Sequence, residues 1–289
     1  MKKGFFILKE AAFIFIIGVC IFFLAFGITH LLKRRVESRK HEIHPALYSF
    51  ESNLRPLILD GLKTQKQIID LPEVNLAINT ITERLVKDSQ LPFNIEILVM
   101  RSETINAVTF PGGIIVIYSG LIHSLESPEE LSAVLAHEFG HVAGHDSIKA
   151  LTRRISMGIL FSTLGKRGGV VLLQRILREA AHINFSRSTE LKADDFALNL
   201  LMRAEIDPIH LGKALENLKQ KSGLHQVGIT RYIDTHPDID SRIHKAYDKS
   251  TSIAVIERKF NIDWDKVKNT LLPHKNDRTK ILSNSIVLQ

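Results

Sequence analysis

The chain has 289 residues, which is enough for one sizeable domain with extra segments or for two small domains. Apolar residues make up 45% and charged residues 24%, an ordinary globular balance that excludes a largely disordered chain, a collagen and a disulfide scaffold. The net charge of +7 is typical of nucleic-acid-binding proteins. However, residues 1–45 carry +5 of this charge and the remainder only +2, so we expect no nucleic-acid partner.

The first predicted element is a membrane span at residues 11–32, which contain no charged side chain. At about 1.5 Å rise per residue, roughly 20 helical residues cross the hydrocarbon core of a bilayer. A cleaved signal peptide is the alternative, but its apolar region usually runs about 7–15 residues, and this stretch is longer. We therefore predict one transmembrane helix that contacts the lipid bilayer, after an N-terminal flank at 1–10.

Three further regions follow the span. Residues 33–70 are charged and weakly periodic, which indicates a membrane-proximal linker or helices. Residues 71–249 carry the periodic apolar patterns of a folded domain. Residues 250–289 form a C-terminal tail of unknown role.

Within the domain, Pro72 suits the first turn of a helix, and the alternation in 93–100 predicts a strand. Residues 106–118 predict a β-hairpin, and the pattern is then helical to about residue 249. A second apolar stretch, 155–173, is interrupted by glycines and charges, so each half is too short to span a membrane. We predict that it forms a helical hairpin over the core. A flap that touches the membrane is the alternative. The fold class is therefore α+β, mainly helical, with a small β-sheet.

The strongest chemical signal is the H-E-x-x-H segment at 137–141. Ser127 predicts the N-cap of its helix, Pro128 the first turn, and Glu130 completes a capping box. From the composition, such a match arises by chance about once in thirty chains of this length. A surface helix with incidental histidines is the alternative interpretation.

On this helix His137 and His141 lie one turn apart on one face, where two imidazoles can share one zinc ion. Glu138 is rotated about 100° from His137, so it flanks the metal and can take a proton from zinc-activated water. His145, one turn further, would close the site if it were a fourth ligand of the metal. We interpret His145 as a helix-end residue.

Two histidines leave one protein ligand to be found. Glu190 and Asp194 are four residues apart on a further predicted helix. Glu190 could bind the metal while Asp194 accepts the N–H of a ligating imidazole. Taken alone, however, acidic residues near a helix start usually only oppose the helix dipole. His236 precedes Pro237, and a histidine there is more often a turn residue than a catalytic one.

Four segments together resemble the HtpX-like and CAAX prenyl endopeptidase family of membrane-associated zinc metallopeptidases, over roughly residues 71–249. They are Asn106-Ala-Val-Thr-Phe-Pro-Gly-Gly113, the motif at 137–141, Glu190–Asp194, and Thr235-His236-Pro237 with Arg242. The resemblance implies a gluzincin catalytic domain with its sheet beside the H-E-x-x-H helix, and one Zn²⁺ per chain. It implies His137, His141 and Glu190 as ligands, Glu138 as general base, Asn106 and His236 near the scissile carbonyl, and Asp194 and Arg242 as supporting residues.

Family members with several spans differ from this chain, whose one predicted span favours the small single-anchor quality-control members. The resemblance thus implies an endopeptidase of protein or peptide substrates. The basic run Lys33-Arg34-Arg35 favours a catalytic domain on the cytoplasmic side. The single-anchor members, however, mostly place this domain outside the cytoplasm. We therefore expect it on the periplasmic side of a bacterial inner membrane. The rival is a non-hydrolytic, zinc-stabilised, chaperone-like binding module, which a closed four-ligand site would favour. The oligomeric state stays open.

Overall fold

The structure is a computed structural model, and it describes residues 45–87, 89, 91–155, 169–223, 231–252 and 255–271. The predicted span at 11–32 and part of the second apolar stretch lie outside these residues. Within the described ranges, no helix is both long and apolar enough to cross a membrane. The described residues from Ser49 onward belong to one compact unit.

The sheet has four strands in the order β1-β2-β4-β3. They are β1 Ile68–Ile69, β2 Glu96–Met100, β3 Ala107–Phe110 and β4 Ile114–Tyr118. β2 and β4 run parallel, whereas β1 pairs with β2 and β3 pairs with β4 in antiparallel fashion. The turn between β3 and β4 uses Gly112 and Gly113, both at positive φ, which confirms the predicted hairpin. β3 ends the sheet on one side.

Helices make up most of the described chain, which confirms a mainly helical α+β fold. They are α1 Pro45–Lys63, α2 Pro72–Val86, α3 Ser119–Ser124, α4 Pro128–Ala143, α5 Asp146–Arg154, α6 Gly169–Ala180, α7 Arg187–Arg203, α8 Ile209–Gly223, α9 Arg231–Thr235, α10 Ile239–Ser252 and α11 Trp264–Leu271.

Helix α4 forms the centre of the core, because it is buried from Pro128 to Val142 and packs against α2, α7, α8 and β3. Gly140 sets its distance from α7. A Cβ atom at this position would lie 2.7 Å from the backbone of Ala193, which is too close for any side chain. The two helices therefore meet backbone to backbone, and this contact determines where the residues of α7 stand beside α4.

The start of α4 differs in one bond from the predicted capping box. The Ser127 hydroxyl accepts from the Glu130 N–H at 3.2 Å, as expected for an N-cap. The Glu130 carboxylate, however, accepts from the backbone N–H of Glu126 rather than that of Ser127, and also from Asn217 of α8. Glu130 therefore stabilises the preceding turn and attaches α8 to the start of α4.

Helix α1 and strand β1 lie before residue 71, within the region expected to be a linker or membrane-proximal helices. A buried stripe of α1, consisting of Phe50, Leu54, Ile58 and Leu62, contributes to the core. The Glu51 carboxylate accepts from the Gly112 N–H at 3.0 Å and lies 2.6 Å from Nδ1 of His145. This part of 33–70 is therefore integral to the folded unit.

Part of the region expected to be a tail also packs on the core. Helix α11 contacts α2 and α3, and Trp264 donates its indole N–H to the carbonyl of Leu125 at 3.1 Å. The Phe260 N–H donates to Glu129 at 3.0 Å. Arg84 of α2 donates to three backbone carbonyls, one of which belongs to Arg258. These contacts give residues 255–271 a structural role.

Replacing Glu51 by alanine removes the acceptor of the buried Gly112 N–H and the partner of His145. We expect the free energy of unfolding to fall by about 1–3 kcal/mol, because a buried donor is left unsatisfied. Denaturant titration measures the change. As a control, Glu83→Ala alters an exposed glutamate of α2 and should change stability by less than about 0.5 kcal/mol. Equal effects would contradict the role of Glu51.

Candidate active site

Four buried side chains meet beside α4: His137 and His141 of α4, Glu190 of α7 and His236, which directly follows α9. Their metal-capable atoms all lie within 4.8 Å of one another. The ring atoms involved are Nε2 of His137 and His141 and Nδ1 of His236. None of the four side chains is more than 2% exposed.

The donor atoms have the spacing of a tetrahedral zinc site. The Nε2 atoms of His137 and His141 are 3.1 Å apart, and His236 Nδ1 lies 3.3 Å from His137 Nε2. Oxygens of Glu190 lie 3.2 to 3.4 Å from the three rings. Ligands at about 2.0–2.1 Å from a tetrahedral ion are about 3.3 Å from each other. The donor types and the distances therefore both fit one zinc ion.

Carboxylates behind the rings orient the two histidines of α4. His137 Nδ1 lies 2.8 Å from an oxygen of Asp194, and His141 Nδ1 lies 3.0 Å from an oxygen of Asp146. Since an ionised carboxylate only accepts hydrogen bonds, each Nδ1 carries a proton, which leaves each Nε2 as the atom that can bind a metal. Asp194 was expected in this position. Asp146 was not, although its place one residue into α5, just past the motif, is a local signal.

Arg242 of α10 lies behind these carboxylates with a fully buried side chain. Its guanidinium is 2.8 Å from both Asp194 and Glu190. Burial alone would lower the pKa of Arg242, but the two carboxylates raise it above its ordinary value. Burial likewise opposes ionisation of Asp194, yet the Arg242 charge and the His137 hydrogen bond hold its pKa well below the usual range. Both groups are therefore charged, and the cation bridges two elements of the site.

The cluster favours bound cations. Burial disfavours the charged imidazole of His141, but hydrogen bonds to Asp146 and Glu190 raise its pKa to about 10, so a metal ion at Nε2 would compete with a proton there. Glu138, Glu190 and Asp194 bring three formal negative charges into the buried site, Asp146 adds a fourth at its edge, and Arg242 brings one positive charge. The site therefore has a net negative charge that a divalent metal ion would reduce.

Glu138 stands beside the four donors rather than among them. Its Oε2 accepts from the hydroxyl of Thr109 at 2.6 Å, whereas its Oε1 has no hydrogen-bond partner in the described part of the chain and lies 3.7 Å from Nε2 of His236. The Tyr232 ring stacks on the His236 ring at 4.4 Å, and its buried hydroxyl is also unpaired. Such buried polar atoms are available to bond to water, a metal ion or a substrate group.

The other residues expected at the site divide into two groups. Asn106 is buried just before β3, and its side-chain oxygen is a further unpaired polar atom. His145 lies outside the four-donor cluster, since its backbone is left-handed at the end of α4 and its ring pairs with Glu51. Thr109 and Tyr232 were not singled out from the sequence, because neither has a local pattern that indicates a contact with the motif.

Residues 72–249 match peptidase family M48. The chain belongs to this family. The beta-barrel assembly-enhancing protease of Yersinia pestis is 28% identical over 220 residues, which cover 68% of this chain and 41% of the relative. The mitochondrial metalloendopeptidase OMA1 of Schizosaccharomyces pombe is 32% identical over 153 residues, which cover 52% of this chain and 45% of the relative. The metalloprotease LoiP of Escherichia coli is 26% identical over 160 residues, which cover 53% of this chain and 62% of the relative.

The match confirms the resemblance to zinc metallopeptidases that the four sequence segments indicated. The chain therefore carries a domain of a zinc metallopeptidase family, and its buried cluster fits one zinc ion. It spans less than two thirds of the length of each of the relatives named above.

Asp194→Asn removes the negative charge between His137 and Arg242. We expect zinc affinity to fall about 10- to 100-fold, as is typical when the partner of a ligating histidine is changed. Competition with a chromophoric chelator measures this affinity. Asp195→Asn is the matched control, because the neighbouring carboxylate is 65% exposed and pairs with Lys245. Wild-type affinity in the Asp194 variant would contradict its role.

Proposed function

We propose that the chain is a membrane-anchored zinc endopeptidase that hydrolyses peptide bonds in protein quality control. His137, His141 and Glu190 would hold the zinc ion, and Glu138 would act as general base. The main supporting observation is the combination of donors at tetrahedral spacing with the free, buried Oε1 of Glu138 beside them.

The chemistry follows from the position of Glu138. A zinc ion held by the cluster would polarise the scissile carbonyl and lower the pKa of water. Glu138 Oε1 accepts a proton from the attacking water and later delivers it to the leaving nitrogen. Meanwhile Asp194 and Asp146 keep the two α4 imidazoles in the ligating tautomer.

His236 would have to leave the fourth donor position during the reaction, because a hydrolytic zinc site keeps one position open. Its ring and that of Tyr232 stack on one another, and its backbone N–H donates to the Tyr232 carbonyl at 2.9 Å. The His236 side chain is thus coupled to the short helix α9. A displacement of the ring from Glu190 would therefore involve α9.

The substrate would bind as an extended strand along β3. β3 is the edge strand of the described sheet, and an extended peptide can add to such an edge through main-chain hydrogen bonds once it displaces the Ser147 hydroxyl from the Thr109 carbonyl. Asn106, at the start of this strand, has a free side-chain oxygen that could accept a substrate N–H. This binding mode reads the backbone of an unfolded segment, which suits a quality-control peptidase.

A second candidate is a non-hydrolytic, chaperone-like module. The fourth donor, His236, favours it, because four protein ligands are typical of structural zinc sites. The free carboxylate oxygen of Glu138 favours hydrolysis instead, since a structural site needs no buried base.

Glu138→Gln separates the two candidates. For the endopeptidase, we expect one bound zinc ion per chain and a loss of casein cleavage of at least about 100-fold, because the general base is gone. Zinc content and cleavage of labelled casein by the full chain are measured together, with Glu83→Ala as an active control. Full cleavage by the Glu138 variant would contradict the mechanism. No cleavage by the zinc-loaded wild type would favour the binding module.

The membrane arrangement has its own test. We expect a periplasm-dependent reporter fused after residue 45 to be active and a cytoplasm-dependent one to be inactive. The reason is that residues 11–32 would carry the domain across the bilayer. Alkaline phosphatase and a cytoplasm-dependent reporter form a matched pair in a bacterial host. Activity of only the cytoplasm-dependent reporter would contradict the periplasmic placement and support the orientation favoured by Lys33-Arg34-Arg35.

A further inference from the structure

Thr109 makes the only hydrogen bond found for the Glu138 side chain among the described residues. Its Oγ1 lies 2.6 Å from Glu138 Oε2, and the two residues are 5% and 1% exposed. Because an ionised carboxylate only accepts, the threonine hydroxyl is the donor. A donor paired with an ionised acceptor in a buried site forms a strong and short hydrogen bond.

We propose that Thr109 is a positioning residue that selects which oxygen of Glu138 serves as the base. By holding Oε2, the hydroxyl leaves Oε1 as the atom that receives the proton. This inference rests on the proposed role of Glu138 and adds a residue that acts on the reaction through it.

The surroundings of the two oxygens support this division. Among the described residues Oε1 has no hydrogen-bond partner, and it lies 3.7 Å from Nε2 of His236. Oε1 thus faces the metal cluster while Oε2 faces the sheet. A glutamate side chain has several rotatable bonds, so without the Thr109 bond the carboxylate can turn away from the water that it must deprotonate.

The fold holds Thr109 itself in place. The residue lies inside β3, where its backbone is opposite Ile115 of β4. Its carbonyl oxygen accepts from the hydroxyl of Ser147 in α5. In addition, a β-branched side chain has few χ1 choices. The hydroxyl is therefore aimed at Glu138 by a strand that is paired within the sheet rather than by a loop.

The same strand is the one proposed to receive the substrate. An extended peptide bound along β3 would be aligned by the element that also orients the base. Substrate position and base position would then be set by one rigid unit, which is how a positioned catalytic group gains most of its rate advantage.

Three variants of the full chain test the inference. Thr109→Val keeps the side-chain shape and removes the donor, whereas Thr109→Ser keeps the donor. Thr82→Val is the matched control, because Thr82 of α2 also has a buried hydroxyl but no hydrogen-bond partner. We expect Thr109→Val to lower kcat roughly 10- to 100-fold with little change in KM, since only the base is misplaced. The serine variant and the Thr82 control should stay near wild type.

A second readout does not depend on cleavage. Unfolding midpoints are measured for Thr109→Val, Glu138→Ala and the double variant, with and without zinc. If the hydroxyl and carboxylate are bonded, the shifts are not additive, whereas those of Thr82→Val and Glu138→Ala add.

The outcomes separate the inference from the function it rests on. Wild-type kcat in Thr109→Val together with an inactive Glu138→Gln would overturn the role of Thr109 alone. An equal kcat loss in the serine variant would overturn it too, because packing rather than the hydroxyl would then be responsible. Additive midpoints would contradict the hydrogen bond itself. Full cleavage by Glu138→Gln would instead overturn the proposed function.

Discussion

The site depends on the direct backbone contact between α4 and α7 at Gly140 and Ala193. Each helix carries two residues of the centre one turn apart, His137 and His141 on one and Glu190 and Asp194 on the other. Ligand atoms about 3.3 Å apart require the helix axes to come unusually close. Any side chain at position 140 would separate the helices and with them the two halves of the donor set.

Charge is the second constraint on this arrangement. Burying three carboxylates is unfavourable unless cations compensate them, and one guanidinium is too little. The protein places that guanidinium, Arg242, behind the ligands, where it bridges Asp194 and Glu190 without occupying the centre. The centre itself has a net negative charge and is lined by imidazole nitrogens. Such a donor set favours a divalent cation by its charge and by its nitrogen ligands.

The parts of the site that the sequence predicts are those contained in a single helix. The spacings His137–His141 and Glu190–Asp194 are local, so helical periodicity alone places each pair on one face. Arg242 and His236 came only from the family resemblance, since neither has a local pattern that points to zinc. The contacts of Thr109 with Glu138 and of Glu51 with Gly112 join distant segments, which periodicity cannot show. The packing of α1 and α11 was missed for the same reason.

The packing of α11 has a practical consequence for spectroscopy. The chain contains one tryptophan, and it is the buried Trp264, which donates to the Leu125 carbonyl. Its emission therefore originates from a single place, the contact of the C-terminal segment with the turn before α4. Detachment of that segment would expose the indole to water and shift the emission to longer wavelength. The fluorescence of Trp264 thus reports on this one contact within the core.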